Sequence, residues 1–226
     1  MNKNNWEYWA FILMIIGSLQ FIVLTIIAMF FYKGGTYVDS STSNYVFWYN
    51  YFSDLGRIKA HSGNQNTISA VIFIIALSFW GLFQIPFYIA FRKFFKNSRT
   101  SKKISMGGSF FGVITGVFYI GIAFTPLDLL GMFHEIFAFF GFGSAFLSNI
   151  LYSAVIFHDK NFSNLYAKIL LISTFILSIY FLTLLLIQNI NTTTKLLIYV
   201  AGQKVMIYTL LICGIFLGFG AIRHKP

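Results

Sequence analysis

The sequence predicts an all-α, polytopic membrane protein: a single domain over residues 1–226 with six transmembrane helices. Three observations carry that expectation. The chain is 58 % hydrophobic and only 10 % charged, with a mean hydropathy of +0.75, whereas a soluble domain carries about a quarter charged residues. Six stretches reach the roughly 20 apolar residues needed to cross about 30 Å of hydrocarbon. The basic residues gather in one short loop and at the chain ends, where topology signals lie.

The spans are about 6–32, 67–91, 106–125, 131–157, 167–189 and 196–222. The first is too long for a signal-peptide core and no cleavage site follows it, so it is read as a true span. Between the first two lies a loop containing "YVFWYNYFSDLG", 45–56. It is too short and polar to cross, so an interfacial or re-entrant aromatic segment is expected, because Trp and Tyr favour the headgroup level. Pro86 interrupts the second span, where a neighbour can satisfy the freed carbonyl. In the third, Gly108, Gly112 and Gly116 recur every four residues, a stripe that lets another helix come close. Gly214 and Gly218 repeat the pattern in the sixth. Packing within one chain and a homo-oligomer face are both open for these stripes.

Orientation follows from Lys and Arg. With the loop "RKFFKNSRTSKK" inside, eleven basic residues lie on that side and four (Lys33, Arg57, Lys59, Lys195) on the other. The positive-inside rule then puts both termini in the cytoplasm of a cell-membrane protein. The formal charge of +10 is thus a topology signal, and no nucleic acid is expected as partner; an anionic-lipid patch on the same loop is compatible with it. The one cysteine, Cys213, excludes an internal disulfide, and no zinc-finger spacing, phosphate loop or dinucleotide motif occurs. No cofactor is expected.

The candidate site rests on the few ionisable residues. Of six acidic residues, Asp39, Asp54 and Asp128 fall on the outer side, and Glu135 lies about one turn into the fourth span from there. Lys204 sits at a similar depth in the sixth. A membrane-embedded charge costs at least ~2.5–3.5 kcal/mol and normally has a partner, so Glu135 and Lys204 are expected to pair. His134 and Glu135 open a stripe through Ala138, Gly141, Ala145, Ser148, Asn149 and Tyr152 that should face inward, with Phe137, Phe140, Phe146 and Leu147 opposite. A buried Glu–Lys pair also serves simply to hold two helices in register. Asp54, Asp128, His134 and Glu135 are all possible metal ligands, but they lack metal-binding spacing, so no metal is expected. Ser53 beside Asp54 lacks a Gly-x-Ser-x-Gly setting and reads as a cap or turn. A last-span lysine is shared with retinal Schiff-base proteins, but six spans and the lack of a suitable Asp there argue against that.

Taken in order, "SDLG" (Ser53 to Gly56), "FTPLD" (Phe124 to Asp128), His134 and "GQK" (Gly202 to Lys204) resemble the motifs of domain-of-unknown-function family 998. These are six-helix prokaryotic membrane proteins, reminiscent of the DRAM autophagy-modulator group. Thr125 departs from the family pattern by standing between Phe124 and Pro126, and Lys204 replaces the commoner arginine, which weakens a bidentate clamp. The resemblance implies the fold and an outer-side polar cluster, and no established activity. The leading expectation is an outward-facing pocket lined by Asp54, Asp128, His134, Glu135 and Lys204 that binds or moves a lipid headgroup or small amphipathic ligand, with membrane lipids as partners. The alternatives are an intramembrane lipid-modifying hydrolase or transferase, with His134 or Glu135 as general base and Lys204 as anion stabiliser, and a structural or assembly subunit.

Overall fold

A computed structural model describes residues 5–159 and 162–224. Its regular structure is helical apart from one isolated antiparallel bridge, Lys59 to Gln65. The six long helices are α1 (Asn5–Phe31), α2 (Thr67–Phe91), α3 (Arg99–Ala123), α4 (Leu127–His158), α5 (Asn164–Leu186) and α6 (Thr192–His224). All six are long and apolar enough to cross a membrane, as a six-helix polytopic membrane protein requires. α3 begins seven residues before the expected span, because "RTSKKIS" continues the helix beyond its apolar stretch, with the Ser98 side chain capping Ser101 N at 2.9 Å.

Each helix packs on its chain neighbours, and α6 returns against α1, so the helices form a closed ring of alternating direction. Lipid tails are as apolar as leucine, so close backbone approach and hydrogen bonds must hold such a ring. The glycines supply the approach. A Cβ on Gly81 of α2 would stand 2.5 Å from the carbonyl oxygen of Gly116 on α3. Gly112 faces the Tyr88 ring of α2 and Gly108 the Tyr152 ring of α4, while Gly214 and Gly218 meet Met14, Ser18, Phe11 and Ile15 of α1. Both glycine stripes therefore pack inside the chain.

The two ends of the bundle differ. At the end with the 92–98 turn, Phe87, Phe91, Phe95, Tyr152 and Phe162 interlock as an aromatic plug, each at most 2 % exposed. Lys93 pairs with Glu7 there at 2.5 Å and lies 4.4 Å over the Trp6 ring. At the opposite end, residues 32–66 fold back over the ring as a cap. The expected interfacial segment divides in two: Trp48 is half exposed at the rim, while Phe52–Gly56 forms a buried 3-10 turn. That turn inserts Phe52 between Phe21 and Tyr208.

Candidate functional site

The cap is held by buried polar side chains, because backbone that folds away from water must find its hydrogen bonds within the protein. Asp54, 1 % exposed, accepts from Tyr51 N at 2.8 Å, from Asn50 Nδ2 at 3.2 Å and from His61 Nε2 at 3.0 Å. Asn66, just before α2, donates to the carbonyls of Leu55 and Arg57, and Ser69 adds a bond to Leu55 O. Gln203 Oε1 on α6 accepts from Phe52 N at 3.0 Å. Burial, and then the Asp54 charge, pushes the Tyr32 phenol up to about 12 and raises those of Tyr45 and Tyr51 as well.

Asp128 spans cap and ring. Its two carboxylate oxygens accept from Ile58 N at 3.0 Å and Lys59 N at 2.9 Å. The carboxylate therefore clamps the cap onto the start of α4 and does not border an open mouth. Directly after it the helix breaks at Leu130 (φ −128°, ψ 39°), setting its first turn off from the rest.

His134 follows on the inward face of α4, 7 % exposed. Its Nδ1 lies 2.7 Å from Thr125 O. A carbonyl only accepts, so Nδ1 carries the proton and donates it to Thr125 O. The backbone carbonyl of Thr125 thus orients the histidine. With Ser53, Gln203, Phe52, Phe142 and Ile207, His134 lines a cavity of about 40 Å³ beneath the cap.

Lys204 is the unusual member. It is 2 % exposed, donates to Asn50 O at 2.5 Å, and lies 4.8, 5.2 and 5.4 Å from the ring centres of Phe47, Phe52 and Tyr45. Among the described residues, no carboxylate lies at ion-pair distance from it. The expected Glu135–Lys204 pair is not formed. Successive helical residues differ by about 100° in direction, so when His134 points to the axis its neighbour cannot. Glu135 is exposed, on the same side as Ile136, Phe139 and Phe140, and α5 stands between α4 and α6 in the ring. Of the rest of the expected stripe, Gly141, Ala145, Ser148, Asn149 and Tyr152 are buried, and Ala138 is partly buried and lines the cavity with His134. Among the described residues, no three His, Cys, Asp or Glu side chains come together that could share a metal ion.

Sequence reasoning missed His61, Asn50 and Asn66. Asn50 had a local signal, lying four residues before Asp54. His61 and Asn66 had none, because their partners are set by the fold of the cap. The fold and site together define a six-helix membrane protein with one end closed by a hydrogen-bonded cap over a buried lysine and histidine. Compared with known protein families, with curated proteins and with solved structures, the chain matches none.

Proposed function

We propose that the chain is a cell-membrane protein that binds a small amphipathic ligand with an anionic group, such as a lipid headgroup, at the capped end. Lys204 would act as the anion-binding group and the cap as a lid. The observation that carries this reading is the lysine itself. A buried lysine with no carboxylate at ion-pair distance among the described residues is expensive to charge, and ionisable groups inside membrane spans are by default functional. Phe47, Phe52 and Tyr45 present their faces to it, a setting that holds a cation while leaving its charge available to an anion. The cavity below, about 40 Å³, has room for only a few waters, so the ligand would enter as the cap lifts. His134 and Ser53 would then meet its uncharged part.

The same reading places the capped end outside the cell and both termini in the cytoplasm, from the eleven-to-four split of basic residues. It also keeps the resemblance to domain-of-unknown-function family 998. The four motifs that carry the resemblance all lie at this one site: Ser53 and Asp54 in the cap, Thr125 and Asp128 at the α3–α4 turn, His134 below, and Gln203 and Lys204 on α6.

The test compares wild type with Lys204→Met in copurified lipid, by mass spectrometry, and in thermal stability. The proposal expects bound anionic lipid to be lost while the melting temperature is kept or raised, since an uncompensated buried charge is removed. A melting temperature that falls, with lipid content unchanged, would leave Lys204 as a structural pin for the cap. For orientation, cysteines placed at Ser98 and at Thr193 in a background lacking Cys213 should be respectively shielded from and reactive with an impermeant thiol reagent on intact cells. The reverse pattern would overturn the outside location.

A further inference from the structure

Two cavities lie along the bundle axis, and the same two side chains line both. The first is the His134 cavity under the cap, about 40 Å³; the second, about 20 Å³, lies deeper, bordered by Gln84, Asn149 and Cys213. Trp80 of α2 and Tyr119 of α3 line each of them, their rings stacked 4.6 Å apart. Both are almost fully buried, at 3 % and 1 % exposure. Yet the indole Nε1 and the phenolic oxygen have no hydrogen-bond partner among the described residues. Tyr and Trp ends that are buried nearly always find one, and two orphans together at a pair of cavities need a common explanation.

We infer that this axis is a built water-binding file, with Trp80 and Tyr119 as the groups that hold the waters at the junction of the two cavities. Size selects water. One molecule needs roughly 10–15 Å³ of such space, so the deeper cavity takes one and the upper one two or three. Chemistry agrees. The indole can only donate, and water accepts from it; the phenol can donate or accept. Ser53, His134 and Gln203 above, and Gln84 and Asn149 below, supply the further polar partners that a buried water requires. The file is blind, because the aromatic plug of Phe87, Phe91, Phe95, Tyr152 and Phe162 closes the other end of the bundle. Its upper end reaches the cavity of His134, so the histidine exchanges protons with water although it is buried. This inference is independent of what Lys204 binds.

The experiment uses the full chain, labelled with ¹⁵N-tryptophan, in detergent micelles. Four indole signals are expected from the four tryptophans, and Trp80→Phe identifies the one that matters. The expected result is a magnetisation-transfer peak between water and the Trp80 indole proton, lost when Ala138→Leu and Ala145→Leu together fill the two cavities. If Trp80→Phe does not fold, the ring-current shift lost in Tyr119→Leu, which removes the ring stacked on the indole, makes the assignment. A Trp80 indole proton without contact to water in the wild type, or one whose water contact survives the filled cavities, overturns the inference.

Discussion

The Asp128 clamp gives the most direct measure of how the cap is held. In Asp128→Ala, Ile58 N and Lys59 N lose their acceptors together. A hydrogen bond to a charged group contributes ~1.5–3 kcal/mol. The Lys59 bond is exposed, so water replaces most of its share. The Ile58 bond is partly buried and keeps more, and the sum is about 2 kcal/mol of cap stability. The favourable position of a carboxylate at a helix start, worth ~0.3–1 kcal/mol, acts on α4 and does not enter cap opening.

A loss of about 2 kcal/mol raises the open population roughly 30-fold. Trypsin reads this out, because Arg57 and Lys59 flank the clamped peptide. When opening and closing are fast relative to cleavage, the rate follows the open population. Limited proteolysis in micelles should therefore show cleavage after Arg57 and Lys59 accelerated by that factor in Asp128→Ala. Asp128→Asn, which keeps one acceptor oxygen, should fall between the two. Hydrogen exchange should rise in 56–61 and stay unchanged in the middle of α2. A wild-type cleavage rate in a folded Asp128→Ala protein would refute the clamp. So would an equal rise of exchange throughout the bundle, since the loss would then be global.

Other consequences follow from the same geometry. Glu135→Gln should leave the melting temperature in detergent unchanged, and combined with Lys204→Met it should show no coupling in a double-mutant cycle; a coupling above about 1 kcal/mol would restore the ion pair. Gly116→Val should separate α2 from α3, because its side chain would run into the Gly81 carbonyl oxygen and Ile85; the expected sign is poor yield and a lowered melting temperature, whereas Gly131→Val, with open space around it, should behave as wild type. The Tyr32 phenol is pushed up from 10.0 to about 12. Its folded value lies above its unfolded one, so its contribution to the cap is complete below pH 10 and lost as pH rises through 12. Phenolate absorbance should rise across that window, and Tyr32→Phe should reduce the rise by one phenol.

Much of the fold was legible in the sequence because the bilayer imposes a single length scale. An apolar stretch of some 20 residues has few ways to be satisfied, so the spans could be read without tertiary information, and the glycine spacing named the close contacts. α3 starts before the apolar stretch because hydropathy reports where lipid ends and not where the helix does, and Arg99 to Lys103 extend it. The site was legible as a set of motifs but not as contacts. Reading His134 and Glu135 as equally inward ignored the 100° between them. Shared depth suggested a partner for Lys204, but depth says nothing of order around the ring, and α5 stands between. His61 sits in "AHSGNQN", where nothing marks it as the partner of Asp54. Trp80 and Tyr119 were hidden among 4 Trp, 13 Tyr and 29 Phe.

The two ends of the bundle are closed by different physics, and the difference decides which end can open. The plug of Phe87, Phe91, Phe95, Tyr152 and Phe162 is held mainly by dispersion among large side chains, so parting them exposes mostly apolar surface, with the Tyr152 hydroxyl bonded to Ser109 as its polar exception. The cap is held by hydrogen bonds: Asp54 to Asn50, Tyr51 and His61, Asp128 to Ile58 and Lys59, Gln203 to Phe52, and Lys204 to Asn50. Water can take over the exposed bonds at the rim, such as Asp128 to Lys59, as they break, so the net cost of lifting the cap is below the sum of its bonds. The exception is the apolar insertion of Phe52 and Leu55, which resists opening because it sits at 1 % and 0 % exposure over the cavity region. A ligand that offers an anion to Lys204 and an apolar body to the space that Phe52 leaves would offset both costs at once. Neither an inorganic anion nor a plain hydrocarbon could do so alone, and this is the physical reason for expecting an amphipathic ligand at this end.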